Sequence, residues 1–404
     1  MTPDETRMRS LPGFEHGIPQ VTFNAKAMIK QAQAETGYSD WGDPFFTKLV
    51  GKLVKAINKE RRIHSLGRFL VHETLSRLLR NRLMIHHDLA THPEIHDVPI
   101  KRPLYILGLP RTGTTFLHNL LASDPNARSI ALWEGLYPSP PPDRATRENN
   151  PRIALAEQWA ARRHAASPLM KIVHPRNPTG PDECHILYQH TLLDGSFKTY
   201  ANVPGFVRLV KRKYPDPTGM YQYYRTLLQL LAWRCNGRHW VLKSPRGLYV
   251  LPTLLKIFPD ARIVQTHRNP AKSIASLCSF HRGARSAYFD YFDAQETGQQ
   301  FFRRVRRGLM VGAEARKNYD PKTFLDIRYP DLVADPIATV KRIYEYHDYP
   351  YSDAFEANMK QWLAQNPQHK HGKHEYTLED YGLEPAVVEQ AFKEYCAKFD
   401  LDGS

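Results

Sequence analysis

A chain of 404 residues with 42% apolar and 24% charged side chains has a globular composition, which excludes a disordered polymer and leaves one large α/β domain with extensions or two smaller domains. Its formal net charge of +15 favours polyanionic partners: nucleic acid, an anionic membrane face, or phosphate-bearing small molecules. Cys184, Cys235, Cys278 and Cys396 are far apart and form no C-x-x-C pair, which argues against a disulfide framework or a zinc site and fits a reducing compartment.

The first residues contain no apolar leader, and no stretch is long enough to span a bilayer, so a cytoplasmic protein is expected, with peripheral membrane contact left open. Residues up to about Gly42 read as an irregular arm. From Pro44 to His87, FFTKLVGKLVKAI and RFLVHETLSRLLRNRLMIHH read as two amphipathic helices with Lys and Arg on their polar sides. The segment THPEIHDVPIKRP then connects to the main body. An arm with a helical extension is therefore expected over 1–100, and the principal α/β domain over 101–404.

Leu104 to Leu109 is a short apolar run suited to a buried parallel strand, and helical apolar spacing resumes from Phe116 to Leu121. Between them Gly108 and Gly113 bracket four residues and are followed by Thr114 and Thr115. This is the outline of the P-loop G-x-x-x-x-G-K-[ST], with Thr114 in place of the lysine. Such a turn aims backbone N–H groups and a helix N-terminus at an anion. The absent lysine is the group that reaches the β- and γ-phosphates of a triphosphate; here the positive charge is Arg111, inside the loop.

Further along, SDPNA is a turn and IALWEGLYPSPPP leads into a proline-rich loop. A helix is predicted over Ile153 to Ala166, followed by the loop HPRNPTGP and a helix over DECHILYQHTLL, with Asp182 and Glu183 suited to its first turn. Tyr221 to Cys235 is a strongly apolar helix. His239 to Leu242 forms a second strand, LKSPRG turns into a helix from Leu248 to Phe258, and Arg262 to Thr266 forms a third strand entering HRNPAKSIASL. A long basic helix around Gln299 to Lys317 precedes a fourth strand, TFLDIRY, and a helix from about Ala338. NPQHKHGKHEYTLEDYGL reads as a loop before a C-terminal helix. The recurrence of strand, turn and helix predicts right-handed βαβ units, and so a P-loop-like three-layer α/β fold with a central parallel sheet plus N-terminal helices.

In such a sheet, ligands bind outside the carboxyl ends of the strands. PRTGTT, KSPRG and THRNP all fall there. Each alone is an ordinary βα turn; together they bring Arg111, Lys243 and Arg268 around one crevice. Arg268 and Ser276 lie about two helical turns apart. An arginine fork and a hydroxyl so spaced can share one phosphate. Two phosphate sites are thus expected, one at PRTGTT and one at Arg268 with Ser276.

PRTGTT, followed by KSP and HRNPAKSIAS, resembles the sulfotransferases that use 3′-phosphoadenosine 5′-phosphosulfate (PAPS). With LWE and RYPDLVADP the set is most similar to a bacterial branch related to tyrosylprotein sulfotransferases, and the resemblance runs from about Pro103 to Gly382. It implies that Arg111, Thr112, Gly113, Thr114 and Thr115 hold the 5′-phosphosulfate and that Arg268 and Ser276 hold the 3′-phosphate. It implies that Tyr329 lies against the cofactor and that HKHGKH supplies a further cation, Lys373 or Lys370, although the Arg-Lys-Gly triplet of the animal cytosolic enzymes is missing. Lys243 and Arg111 are matched to leaving-group and sulfuryl stabilisation, and no metal is implied. For the general base, Glu134 of LWEGL matches the glutamate of the tyrosylprotein branch, and a pocket lined by Trp133 and Tyr137 is expected to raise its pKa. His190, His185 and Glu183 are the other candidates.

The implied reaction is transfer of the sulfuryl group from PAPS to a hydroxyl by in-line attack, releasing adenosine 3′,5′-bisphosphate. A P-loop nucleotide kinase or NTPase and a catalytically silent nucleotide-binding protein are the competing readings. Nucleic acid is disfavoured as a partner, because the basic residues are dispersed and no RNP-like motif is present. Tyr200, Phe206, Tyr221, Tyr223 and Tyr224 hint at an apolar acceptor, a small molecule or a lipid alcohol. Oligomeric state is left open.

Overall fold

The computed structural model describes residues 14, 16–367 and 375–401. Five parallel strands form its centre: β1 (Leu104–Gly108), β2 (Ala127–Arg128), β3 (His239–Lys243), β4 (Arg262–His267) and β5 (Phe324–Arg328), in the order β2-β3-β1-β4-β5. The fold is the expected three-layer α/β sandwich. β2 begins at the end of SDPNA, where the sequence pattern shows only a turn; two residues are too few to carry a period-2 signal.

Alternation along the strands sorts the two layers. Leu104 and Ile106 of β1, with Val241, Val264 and Ile327, face one core, which holds Leu117, Leu120 and Leu121 of the helix after β1. Tyr105 and Leu107, with Leu242 and Ile263, face the other core, built on Thr218–Ala232 and Leu251–Ile257. β1 is completely buried because helices cover both of its faces. The chain builds β2 and β3 on one side of β1 and then crosses to β4 and β5 on the other. That reversal opens a crevice at the carboxyl ends of β1, β3 and β4.

Before the sheet come three helices, α1 (Ala25–Thr36), α2 (Phe46–Lys59) and α3 (Ser65–Thr91). The arm expected up to Gly42 is thus helical over α1. Its signals are local: the Asn24 side chain accepts from the Ala27 N–H, and Gly37 ends the helix at φ 74°. The apolar cluster beneath these helices also takes in Leu192, Phe197, Phe206, Tyr288 and Phe289, so the N-terminal helices pack on segments inserted between the later elements. After β1, α4 spans Thr114–Leu121. The helix expected over DECHILYQHTLL is only His185–Tyr188 plus a 3₁₀ turn to Thr191, closed by Leu192 at φ 60°. Asp182 and Glu183 therefore precede it outside any helix. Phe206, Tyr221 and Tyr224 are buried core residues, and Tyr188, Tyr221, Tyr224 and Phe258 form one edge-packed aromatic cluster, so these aromatics give no sign of an acceptor pocket.

Candidate active site

The turn between β1 and α4 is shaped by three residues at positive φ: Gly108 (144°), Arg111 (73°) and Gly113 (85°). A side chain at Gly108 would lie 2.4 Å from Thr266 Oγ1 and 2.8 Å from the Thr266 carbonyl; one at Gly113 would lie 2.9 Å from Tyr329 Cδ2. Both glycines are demanded by backbone shape and by close approach. Thr112 Oγ donates to the Leu109 carbonyl at 2.7 Å and meets Thr266 Oγ1 at 2.6 Å, tying the turn to β4. No side chain caps α4, so its first N–H groups remain directed at the crevice.

Two clusters flank this turn. In the first, Lys243, at the end of β3 and 2% exposed, donates from Nζ to Thr115 Oγ1 at 2.9 Å and pairs with Glu183 Oε1 at 3.0 Å. Glu183 reaches it because the Cys184 N–H donates to the Lys243 carbonyl at 2.9 Å, continuing β3's hydrogen bonding into this segment. Burial pushes the Glu183 carboxyl up, but the Lys243 ammonium, with His185 and His174, outweighs this and holds it down at about 2. His185 Nδ1 lies 3.9 Å from Glu183 Oε2, and its Nε2 is within 3.1 Å of Gln189. His174 sits within electrostatic reach of Arg176, Lys243, Glu183 and Arg111; burial first, and then the three cations, push its pKa well below the ordinary imidazole value, against Glu183.

In the second cluster, Arg111 Nε donates to Ser276 Oγ at 3.0 Å and Nη1 to the Val173 carbonyl at 3.3 Å. Arg268 Nη1 donates to the Arg111 carbonyl at 3.0 Å, and its guanidinium stacks 4.4 Å from the centre of the Tyr329 ring. Arg268 Nε is buried without a hydrogen-bond partner. Tyr376 lies close enough to Arg111 to influence it. The structure thus brings Arg111, Arg268, Ser276 and Tyr329 together. Arg111 bridges the turn to Ser276 instead of facing Lys243, which the linear spacing did not reveal. Lys373 and Lys370 lie outside the described residues.

Two of the candidates for the base, Glu134 and His190, lie fully buried. Glu134 is completely buried, and both its oxygens are engaged: Oε1 and Oε2 take the Arg128 guanidinium at 2.8 and 2.9 Å, Oε1 takes Arg147 at 2.9 Å, and Oε2 accepts the Ala131 N–H at 3.0 Å. Burial raises its pKa, yet the two arginines outweigh it and leave the carboxyl below the usual range, opposite to the expectation from Trp133 and Tyr137. Glu134→Gln should therefore lower stability by roughly 3–5 kcal/mol through two arginines left short of their counter-charge. The drop in calorimetric Tm measures this, while turnover per folded molecule should stay close to wild type. His190 is also fully buried; burial and Arg77 push its pKa down to about 3, and Nε2 contacts the Gly135 carbonyl at 3.1 Å. It holds the LWEGL helix in place and has no access to the crevice. Of the groups that sequence reasoning missed, His174 and the Val173 carbonyl come from the end of the short helix Pro168–Val173, which carries no motif; Tyr376 follows the basic stretch already singled out.

An anion-binding turn at the switch point of a parallel sheet, with separate cationic clusters on either side, defines a P-loop-like group-transfer enzyme. The chain belongs to the sulfotransferase family, whose model matches residues 103–353. It is 30% identical to the structure of sulfotransferase STF9 from Mycobacterium avium, over 94% of this chain and 97% of that one, with a TM-score of 0.84. For sulfotransferase STF1 from Mycobacterium tuberculosis H37Rv the identity is 32%, over 92% and 98% of the two chains, with a TM-score of 0.78. Among curated relatives, the omega-hydroxy-beta-dihydromenaquinone-9 sulfotransferase Stf3 of Mycobacterium bovis is 23% identical, over 74% of this chain and 75% of its own length.

Proposed function

We propose that the protein transfers a sulfuryl group from PAPS to the hydroxyl of an apolar, lipid-like acceptor, with Glu183 as the general base. The observation that carries this reading is the Thr115–Lys243–Glu183 chain at the mouth of the anion-binding turn, with contacts of 2.9 and 3.0 Å. PAPS fits the residues present. The uncapped N-terminus of α4 and the Gly113 backbone offer N–H donors to a phosphosulfate, and the orphaned Arg268 Nε with Ser276 and Arg111 offers a second anion site. When bound, the donor supplies an activated sulfuryl group.

The chain's own residues do the rest. Glu183 accepts the hydroxyl proton of the acceptor as the new S–O bond forms. Lys243 places a buried positive charge where the departing phosphate oxygen gains charge. As Lys243 gives its ammonium to that anion, Glu183 loses the charge that depresses its pKa and becomes a stronger base. Arg111, Arg268 and Tyr329 bind and orient. The lipid-like acceptor rests on the relative that sulfates a menaquinone hydroxyl.

The test is transfer of labelled sulfate from PAPS into a lipid extract, with mass spectrometry of the product. A product bearing one added sulfate on a hydroxyl is expected, formed without added magnesium. Label appearing only as inorganic sulfate, or a magnesium-dependent phosphoryl transfer, would reject the reading. For the donor site, Arg268→Ala should weaken binding of adenosine 3′,5′-bisphosphate by roughly 10–100-fold, the loss of one charge-assisted fork. Calorimetric titration measures it, and unchanged affinity would remove Arg268 from the 3′-phosphate site.

A further inference from the structure

α2 packs its apolar face inward, with Leu49, Val50, Leu53, Val54 and Ile57 buried, and turns Lys48, Lys52, Lys55 and Lys59 outward at helical spacing. The helix Pro204–Lys213 packs against it and exposes Arg208 and the run Lys211–Lys213. None of these eight cations makes an ion pair among the described residues, and neither helix contains an acidic residue. A basic surface without internal counter-charge calls for an external anion. Crowding extends past the two helices: burial, with Arg304 and Lys211 close by, pulls the Lys198 ammonium below its ordinary pKa.

Charge is only half of the surface. Phe45, at the start of α2, is 48% exposed, with the ammonium groups of Lys48 and Lys213 each 5.0 Å from its ring centre. Further along α2, an open groove of about 470 Å³ lies between Lys26 of α1 and Gly51, Val54, Lys55 and Asn58 of α2, with Phe23 in its lining. An exposed aromatic ring among cations and a groove edged by lysines match an interface with an apolar interior and an anionic face. No helix among the described residues is long and apolar enough to cross a membrane, so such an interface would be met from one side.

We propose that α2 and the helix Pro204–Lys213 form a docking face for an anionic phospholipid bilayer, with Phe45 inserted among the headgroups. It deepens the reading of a lipid-like acceptor but uses no step of the transfer, so its test involves neither donor nor acceptor. The full chain is sedimented with phosphatidylcholine vesicles, alone and with about a third phosphatidylglycerol, at low and high salt. It should partition onto the anionic vesicles only, and several-fold more weakly at high salt. The variant Lys48→Glu/Lys52→Glu/Lys55→Glu should lose at least about a hundredfold in partitioning, since each lysine near such a surface contributes roughly fivefold. Phe45→Ser should lose a few-fold at both salt concentrations, which a purely electrostatic contact would not. Equal binding to neutral vesicles, no binding to anionic ones, or full retention by the charge-reversed variant would overturn the proposal. So would binding to soluble polyglutamate as strong as to anionic vesicles and indifferent to Phe45, which would assign the face to an acidic protein.

Discussion

Glu183→Gln is expected to reduce the chemical step by roughly 10²–10⁴-fold, the range for removing a positioned general base. The amide keeps the shape of the carboxylate and can still accept a hydrogen bond from Lys243, which lies 3.0 Å from Glu183 Oε1. It cannot take a proton. The loss should therefore appear in single-turnover rate, while affinity for adenosine 3′,5′-bisphosphate stays within a few-fold, because the arginine cluster is untouched. A variant that turns over normally at saturating acceptor would dismiss Glu183 as the base. Comparison with Glu134→Gln separates the two carboxylates: the Glu183 variant should lose rate per folded molecule, whereas the Glu134 variant should keep it and lose stability only.

Lys243→Ala should cost a further large factor, roughly 10²–10³-fold in kcat, as for loss of a preorganised donor to a charge that develops in the transition state. It also has a pH signature. With Lys243 present, the Glu183 carboxyl is depressed to about 2 from an ordinary 4.5, so it remains ionised throughout the neutral range. A depressed carboxyl contributes stability that is fully present above its unfolded pKa and is lost as pH falls through 4.5 towards 2. Removing the ammonium leaves burial, which raises the pKa, with far less opposition. The acid limb of residual kcat/KM should then move to higher pH, and the share of acid-induced destabilisation that comes from Glu183 should shrink, because its folded pKa no longer lies far below 4.5. Calorimetry across the acid range and a pH–rate profile read the two effects. An acid limb that does not move would show that Lys243 does not set the protonation of Glu183.

Much of this site could be read in one dimension. β1, β3 and β4 are short apolar runs that end in Gly, Lys and His at the sheet's carboxyl edge, and strand burial follows from local pattern alone. The spacing of Gly108 and Gly113 marks a turn because only glycine tolerates both the φ values and the contacts with Thr266 and Tyr329. The length of the DECHILYQH helix was not legible in the same way. Its apolar spacing suited a helix, but hydrogen bonding of Cys184 to the end of β3 keeps the preceding residues outside any helix. α1 was missed because its apolar face is narrow, with only Met28 and Ala32 buried.

The choice of partner for each charge belongs to three dimensions. Sequence alone determined the class of fold, the anion-binding turn and the set of cations around it, since each depends on residue type and spacing within one or two elements. It could not rank Glu134 above or below Glu183. Both are carboxylates, and their difference is which cations the fold brings within 3 Å: Arg128 and Arg147 for Glu134, Lys243 at the crevice for Glu183. Nor could it foresee Arg111 reaching across to Ser276, a contact that joins the end of β1 to the helix after β4. Coulomb interactions fall off over a few ångströms and ignore chain distance, so pairings of this kind are settled only when the sheet assembles.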